Sequence, residues 1–277
     1  MQTRIFVALL SALATTTSAS PLRRRCSGSN DTATSTTTST SATELSTSST
    51  SATVDTSVTY VLPSTGGATS LPSPGNATLK HIVVGHGIQN YSCADAGATA
   101  TSLGALAVLW DITALYPGSS ADSLSESDWT ALPPKVLRNT SMPLNLVTAG
   151  DVSAGASTST PFPAPASLTV DGLASPLDFL GHHFFDGAGV PTFDLSGVTS
   201  EAELLKAKKD LAIAAPADAD KGLTGTGAVD WLALSDKGTS ENLSLVYRVV
   251  TAGGSPSACG AAGQTESVPY AAMYWLY

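Results

Sequence analysis

The sequence predicts an all-β domain, a mostly antiparallel β-sandwich or barrel-like sheet with one short helix, behind a disordered Ser/Thr-rich N-terminal arm. Short runs rich in Val, Ile, Leu and aromatic residues are separated by clusters of Gly, Pro and Ser, which is the pattern of an all-β chain. Within residues 243–251 one apolar set alternates with a second set that is also fairly apolar, and such alternation is typical of a strand.

Nine segments predict strands. In chain order they cover residues 81–84, 87–93, 105–112, 167–170, 179–185, 192–195, 229–234, 243–251 and 270–277. One helix is predicted over residues 202–211, because Thr199-Ser200-Glu201 resembles an N-terminal cap and good helix formers follow it. Pro216 would end that helix.

The first 57 residues predict export and processing. Residues 1–19 have the pattern of a signal peptide, with Arg4 before an apolar stretch and small residues up to Ala19. Residues 20–57 predict a Ser/Thr-rich stalk or propeptide, too poor in large apolar side chains to fold. Its tribasic sequence at 23–25 is either a protease processing site or a flexible basic patch. A single β-rich domain is expected over residues 58–277, in a product that is secreted and extracellular or associated with the cell wall.

The charge balance argues against two classes of partner. Four of the 13 basic residues precede Cys26, so 9 basic residues stand against 22 acidic ones from there onward, a net charge of −13. Such an acidic surface repels polyanions. We therefore expect no nucleic-acid partner and no membrane partner.

Three cysteines in an exported chain indicate one disulfide bond and one leftover cysteine, which is removed by processing, forms an intermolecular bond or stays free. Cys93 and Cys259 both lie in the region expected to fold, so we pair them, which leaves Cys26 in the arm. Five Asn-x-Ser/Thr sequons predict N-glycosylation wherever they are exposed. They are at Asn30, Asn76, Asn90, Asn139 and Asn242.

A polar cluster around two adjacent histidines is the candidate site. It consists of Asp178, His182, His183, Asp186 and Asp194. Histidines and carboxylates together could bind a divalent metal, and two aspartates could approach across a hairpin as carboxylates do in glycoside hydrolysis. Against both, neighbouring residues on a strand point to opposite faces, and aspartates are common in turns. We therefore assign no metal, no cofactor and no catalytic residue.

Residues 81–90 begin like a dinucleotide-binding fingerprint. An apolar strand runs into Gly85 and Gly87, and Asp111 ends a second apolar run. The third glycine position is Asn90, however, and a strand-like segment follows it in place of a helix. A glycine bend or bulge between two β segments is the simpler interpretation.

Several further segments are recognisable together. They are residues 87–93, 105–111, 180–184, 229–234, 248–254 with Cys259, and the closing Val268-Pro-Tyr-Ala-Ala-Met-Tyr-Trp-Leu-Tyr277. Over about residues 60–277 the chain resembles a domain-of-unknown-function family of secreted fungal and bacterial proteins. That resemblance implies no activity and transfers no catalytic residue. Fungal members often bear the label malate dehydrogenase, a chemistry that needs a dinucleotide fold and several arginines. After processing only Arg138 and Arg248 remain, so the residues do not support that label.

Compartment, stalk and the lack of a recognisable catalytic set favour a binding function. We expect a secreted, glycosylated β domain that binds cell-wall polysaccharide or a surface protein, at the cell wall or at a host surface. The alternative is an extracellular metal-dependent or hydrolytic enzyme centred on His182 and His183 and the nearby aspartates.

Overall fold

Eight antiparallel strands close into a barrel in the computed structural model, which describes residues 58–277. The strands are β1 (His81–Ser92), β2 (Thr101–Asp111), β3 (Phe179–Phe185), β4 (Pro191–Asp194), β5 (Leu204–Ile213), β6 (Trp231–Asp236), β7 (Leu245–Gly253) and β8 (Thr265–Leu276). The prediction of an all-β, antiparallel, barrel-like domain with one helix is confirmed. The predicted signal peptide, the disordered stalk, the tribasic site, Cys26 and Asn30 lie outside the described residues.

Strand β8 closes the barrel. Each strand pairs with its successor in the chain, and β8 also pairs with β1. The β1–β8 pairing runs the whole length of both strands, from His81 opposite Leu276 to Ser92 opposite Thr265. On its other side β8 pairs with β7. No strand of the barrel therefore has a free edge.

Both faces of much of the barrel wall are buried. Inside the barrel, Val83, Leu109 and other inward side chains form one apolar core. Outside it, Tyr247 and Trp275 belong to a second core that includes a helix and several loops. This double burial explains why β7 is apolar on both faces.

The helix, α1 (Glu126–Asn139), packs on the outside of the barrel, where the sequence predicts none. Ser125 caps it by accepting a hydrogen bond from a first-turn amide, and Trp129 is buried on its inner face. Pro133 and Pro134 lie in its interior. They explain why the sequence pattern does not predict this helix, because proline lacks the amide donor that a helix interior uses. Within the described part of the chain, no helix is long and apolar enough to cross a membrane.

Two local predictions are wrong. The helix predicted over residues 202–211 is strand β5, in which Leu205 and Ala207 face the barrel core while Lys206 between them does not. Helix propensity is a weak preference, and pairing with β4 and β6 overrides it. Residues 167–170 form no strand and contribute one isolated bridge to the segment before β3.

The predicted glycine bend or bulge at Gly85 and Gly87 is also wrong, because β1 is continuous there and its register with β2 shifts only between Asn90 and Tyr91. Gly85 packs against the ring of Tyr274, and a Cβ atom there would lie 2.7 Å from that ring. At Gly87 a Cβ atom would overlap the backbone of Leu106 on the neighbouring strand. Both glycines therefore permit close packing in the barrel wall. They do not stand at a strand-to-helix turn, as a dinucleotide fingerprint requires.

The disulfide bond between Cys93 and Cys259 is confirmed. It joins the chain just after β1 to the loop that precedes β8. The two cysteines are 166 residues apart, and closing so long a loop in the unfolded chain stabilises the fold by about 5 kcal/mol in the chain-entropy model. The bond therefore reinforces the same pair of strands that closes the barrel.

Deleting residues 270–277 should abolish folding, because β7 would lose its whole β8 partner and β1 would lose it along His81–Gly87, which leaves unpaired strand edges. We expect the truncated chain to be retained in the expressing cell or to aggregate, whereas the full chain is recovered in folded form. Circular dichroism measures the folding and gel filtration the aggregation. Deletion of the exposed residues 66–69 is the control and should be tolerated. A stable, folded truncation would contradict the role given to β8.

Candidate functional site

One end of the barrel is filled, and the other end holds a cavity. The apolar side chains of Leu109, Leu205 and Leu276 help to close the end at which β1 begins. At the opposite end the inward side chains leave a cavity of about 560 Å³, here called the mouth cavity. Its polar lining includes Gln89, Tyr91, His183, Lys209, Arg248 and Tyr274.

Arg248 places a positive charge in the wall of the mouth cavity. It lies on β7 two residues after the inward-facing Val246 and is only 9% exposed. Its Nε and Nη2 donate to the backbone carbonyl of Asp230 at 3.1 and 2.9 Å. Among residues 58–277 no carboxylate oxygen lies within 4.0 Å of the guanidinium. The charge is therefore largely buried without an acidic partner among those residues, an arrangement that costs free energy.

A bulge in β7 lies directly beyond Arg248. The register with β8 shifts between Val249 and Ala252, and Val250 adopts a φ of +46°. A β-branched residue in this left-handed region is strained by about 1–3 kcal/mol. Thr251 holds the bulge by donating from its hydroxyl to the carbonyl of Val229 at 2.6 Å. Bulges of this kind are frequent beside functional sites, where they redirect a side chain.

His183 faces the same cavity and is uncharged at neutral pH. Its ring stacks on Phe193 with 4.1 Å between centroids, and burial lowers its pKa to about 4. Nδ1 lies 2.9 Å from the backbone carbonyl of Thr192. Because a carbonyl only accepts, Nδ1 carries the proton and Nε2 retains a lone pair.

Gln89 and Lys209 add further hydrogen-bond donors. Gln89 is 5% exposed, and its Nε2 has no hydrogen-bond partner among the described residues. Tyr91 beside it donates to the carbonyl of Gly254 at 2.7 Å, and burial raises the pKa of Tyr91 to about 12. Lys209 is exposed at the rim. The lining of the cavity thus contains a hydrogen-bond donor, Gln89 Nε2, for which the described residues provide no acceptor.

The two predicted histidines lie on opposite sides of the barrel wall. His183 points inward, whereas His182 points outward, where its ring stacks on Phe162 with 4.0 Å between centroids. The alternation of side chains along β3 separates them. No shared site at the histidine pair is formed.

The three predicted aspartates lie apart from His183. Asp186 forms the turn after β3, and its hydrogen bond from Lys206 Nζ, at 2.9 Å, is the main reason why its pKa falls to about 2. Asp194 stands opposite His182 across the β3–β4 pairing, so these two are neighbours. Asp178 precedes β3 and lines a separate cavity of about 720 Å³. No group of three or more His, Cys, Asp or Glu side chains within residues 58–277 is arranged to hold a metal ion.

The larger cavity beside Asp178 is a weaker candidate than the mouth cavity. Its other lining carboxylates are Asp122 and Asp111, and burial raises the pKa of Asp111. Asp111 already accepts a hydrogen bond from the amide of Thr113 at 2.8 Å, which explains it as part of a turn after β2. The mouth cavity, in contrast, holds a buried amide nitrogen, Gln89 Nε2, for which residues 58–277 provide no hydrogen-bond partner, and an arginine without an acidic partner there.

Sequence patterns missed Arg248, Gln89, Lys209 and Tyr274 as site residues. The available signal was an arginine in the middle of an otherwise apolar strand, Leu245–Gly253. Only the closure of the barrel assigns that position to the inside, together with a glutamine from β1 and a tyrosine from β8.

The family model described as Protein of unknown function (DUF3455) matches residues 73–277. The chain belongs to this family. The matched DUF3455 region contains all eight strands, α1, both cysteines of the disulfide and every residue of the mouth cavity. The prediction of a domain-of-unknown-function family is thereby confirmed. No curated protein and no solved structure matches the chain.

The buried histidine should make stability depend on pH. Because the folded-state pKa of His183 is about 4 and its ordinary value is 6.5, the unfolded chain binds a proton between these values and the folded chain does not. Stability is therefore complete above pH 6.5 and falls as the pH drops towards 4. From pH 7 to pH 5 the free energy of unfolding should fall by roughly 2 kcal/mol per such histidine. His86, whose pKa burial also lowers to about 4, should contribute similarly.

His183→Asn should remove its share of this pH dependence, since an asparagine amide can still donate to the Thr192 carbonyl but does not titrate. His182→Asn, on the same strand but half-buried on the outer face, is the matched control and should change the slope less. Denaturant unfolding at pH 7 and pH 5 measures both. Equal pH dependence in His183→Asn and the unaltered protein would contradict the burial of this imidazole in neutral form.

Proposed function

We propose that this DUF3455 chain is an exported, glycosylated binding domain that takes a small ligand, or the end of a larger one, into the mouth cavity. The observation that carries the proposal is the set of buried donors in that cavity, above all the Arg248 guanidinium and the Gln89 amide. Closed eight-stranded barrels can hold one small ligand within the barrel, and about 560 Å³ lies within the usual range of ligand pockets.

Export is supported by two independent features. The N-terminal residues have the pattern of a signal peptide, and the domain is closed by a disulfide bond, which persists in oxidising compartments. We place the activity at the cell wall or at a host surface. A wall polysaccharide would present a chain end to the mouth, whereas a surface protein would have to present a narrow loop or side chain.

The enzyme alternative stays a prediction and is the less favoured one. A metal or hydrolytic centre at the histidine pair needs His182 and His183 on one side of the wall, but they lie on opposite sides. Binding requires only groups that already line one cavity.

Blocking the mouth should abolish ligand binding. Ser102 is exposed and lines the mouth cavity, whereas its neighbour Thr101 is exposed and does not. Against soluble chitin, β-glucan, mannan and pectin oligomers and a set of small organic molecules, we expect at least one binder. Its affinity should fall by about tenfold or more in Ser102→Trp, because the indole occupies cavity volume, and stay unchanged in Thr101→Trp. Titration calorimetry measures the two. No binder in any class, or binders indifferent to Ser102→Trp, would refute a mouth site.

The sequons should differ in glycan occupancy, because the side-chain amides of their asparagines have different surroundings. Asn76 and Asn139 are exposed. Asn242 donates from Nδ2 to the carbonyl of Ala202 at 2.8 Å, so a glycan on that nitrogen would compete with this contact. Asn90 is half-buried beside Ser267, from which its Oδ1 accepts a hydrogen bond at 2.7 Å.

We therefore expect glycans on Asn76 and Asn139 and little or none on Asn242 when the full chain is expressed through a eukaryotic secretory route. Peptide mass spectrometry with and without enzymatic deglycosylation measures the occupancy of each site, and Asn76→Gln and Asn139→Gln should each remove one glycan mass. Full occupancy of Asn242 with bare Asn76 would contradict this assignment.

A further inference from the structure

We infer that the mouth cavity binds its ligand through a carboxylate group held by Arg248, with the apolar part of the ligand against the aromatic wall of the cavity. The inference rests on the proposed function, since it names the ligand class of the same site. Two groups carry it independently: Arg248, a residue only 9% exposed with no acidic partner within residues 58–277, and the buried Gln89 amide, whose nitrogen has no hydrogen-bond partner in the same range.

The surroundings of Arg248 leave its charge uncompensated. The Asp230 carbonyl that it binds through Nε and Nη2 is a dipole and not an anion. Its neighbour Tyr274 is neutral, because burial raises the pKa of that hydroxyl, although the Arg248 guanidinium partly offsets the rise. His183 is neutral as well. A guanidinium in such surroundings binds an anion strongly, because few water molecules compete for its N–H groups.

The nearby acidic side chains do not supply that anion. Asp230 is exposed at the rim, and its carboxylate lies beyond 4.0 Å of the guanidinium. Glu266 is engaged elsewhere, since its carboxylate accepts from the amide and the hydroxyl of Ser257 at 2.9 and 2.8 Å. Lys209 at the rim adds a second positive charge on the path into the cavity.

The composition of the cavity selects a carboxylate over other anions. One buried guanidinium balances one negative charge, and its planar fork matches the two oxygens of a carboxylate. A phosphate dianion would require further buried donors. Phe185, Phe193 and Leu234 line the same cavity, so an apolar or flat ring-shaped body beside the carboxylate would find contact surface.

Two sources could present this chemistry: a free amphipathic carboxylic acid, or the uronic-acid end of a wall polysaccharide. The probes are 1-naphthoate with its neutral amide, 1-naphthamide, and trigalacturonate with neutral galactotriose. In calorimetry on the purified full chain, we expect at least one acid to bind about tenfold or more tightly than its neutral counterpart, since one charged hydrogen-bonded pair contributes that much. Which acid binds identifies the source.

Arg248→Gln should reduce the affinity for the acid to that of its neutral counterpart, because glutamine can still donate to the Asp230 carbonyl but carries no charge. Lys209→Gln should lower the affinity for the acid several-fold and reduce the salt dependence of binding. Lys208→Gln is the matched control, because Lys208 is exposed on the same strand and does not line the mouth cavity. If Arg248→Gln does not fold, two measurements still test the carboxylate inference. They are the ratio of the affinities for the acid and its neutral counterpart, and the comparison of Lys209→Gln with Lys208→Gln.

Three outcomes would overturn the carboxylate inference: equal affinity for an acid and its neutral counterpart, acid binding unaffected by Arg248→Gln, or binding of neither 1-naphthoate nor trigalacturonate. Tight binding of a neutral ligand that Ser102→Trp blocks would overturn this inference and leave the mouth site standing. Acid binding that Ser102→Trp leaves unchanged would place the ligand elsewhere and overturn both proposals.

Discussion

The pairing of β1 with β8 is the contact on which the rest of the molecule depends. Those strands are the first and last of the sheet, and their pairing converts an open meander into a closed wall. Once the wall is closed, every strand has a defined inner and outer face. The apolar core inside the barrel, the mouth cavity at one end of it and the outer core that packs against α1 all follow from that division. The disulfide bond ties the chain together at the same seam, between the exit of β1 and the entry of β8.

Closure also explains why adjacent residues have unrelated roles. His183 lies in the barrel and stacks on Phe193, while His182 meets a loop phenylalanine outside. On β7, Arg248 lines the mouth cavity, while Tyr247 before it packs in the outer core. Chemistry in this fold therefore has to be assembled from alternate residues of several strands, and a run of polar residues within one strand is divided by the wall.

Much of the sheet was predictable because short apolar runs between turn residues are a local signal, as in residues 105–112 and 179–185. The disulfide pairing was predictable from the placement of two cysteines in the region expected to fold. Strand β5 was not, since its alanines and lysines favour a helix locally and only its neighbours make it a strand. The mouth residues were not, because Gln89 and Arg248 are 159 positions apart and nothing local shows that they share an interior.

The buried guanidinium also bears on why the cavity is polar at all. Replacing a buried charge by an apolar side chain of similar volume is often neutral or stabilising, and the opposite end of this barrel shows that leucine can fill the interior. A purely structural barrel could therefore do without Arg248. Arg248 and the Gln89 amide, which has no partner among the described residues, place two destabilising features in one cavity, and the strained backbone at Val250 lies two residues beyond Arg248 on β7. Stability provided by closure and the disulfide can offset them, and a ligand anion would relieve at least the uncompensated charge.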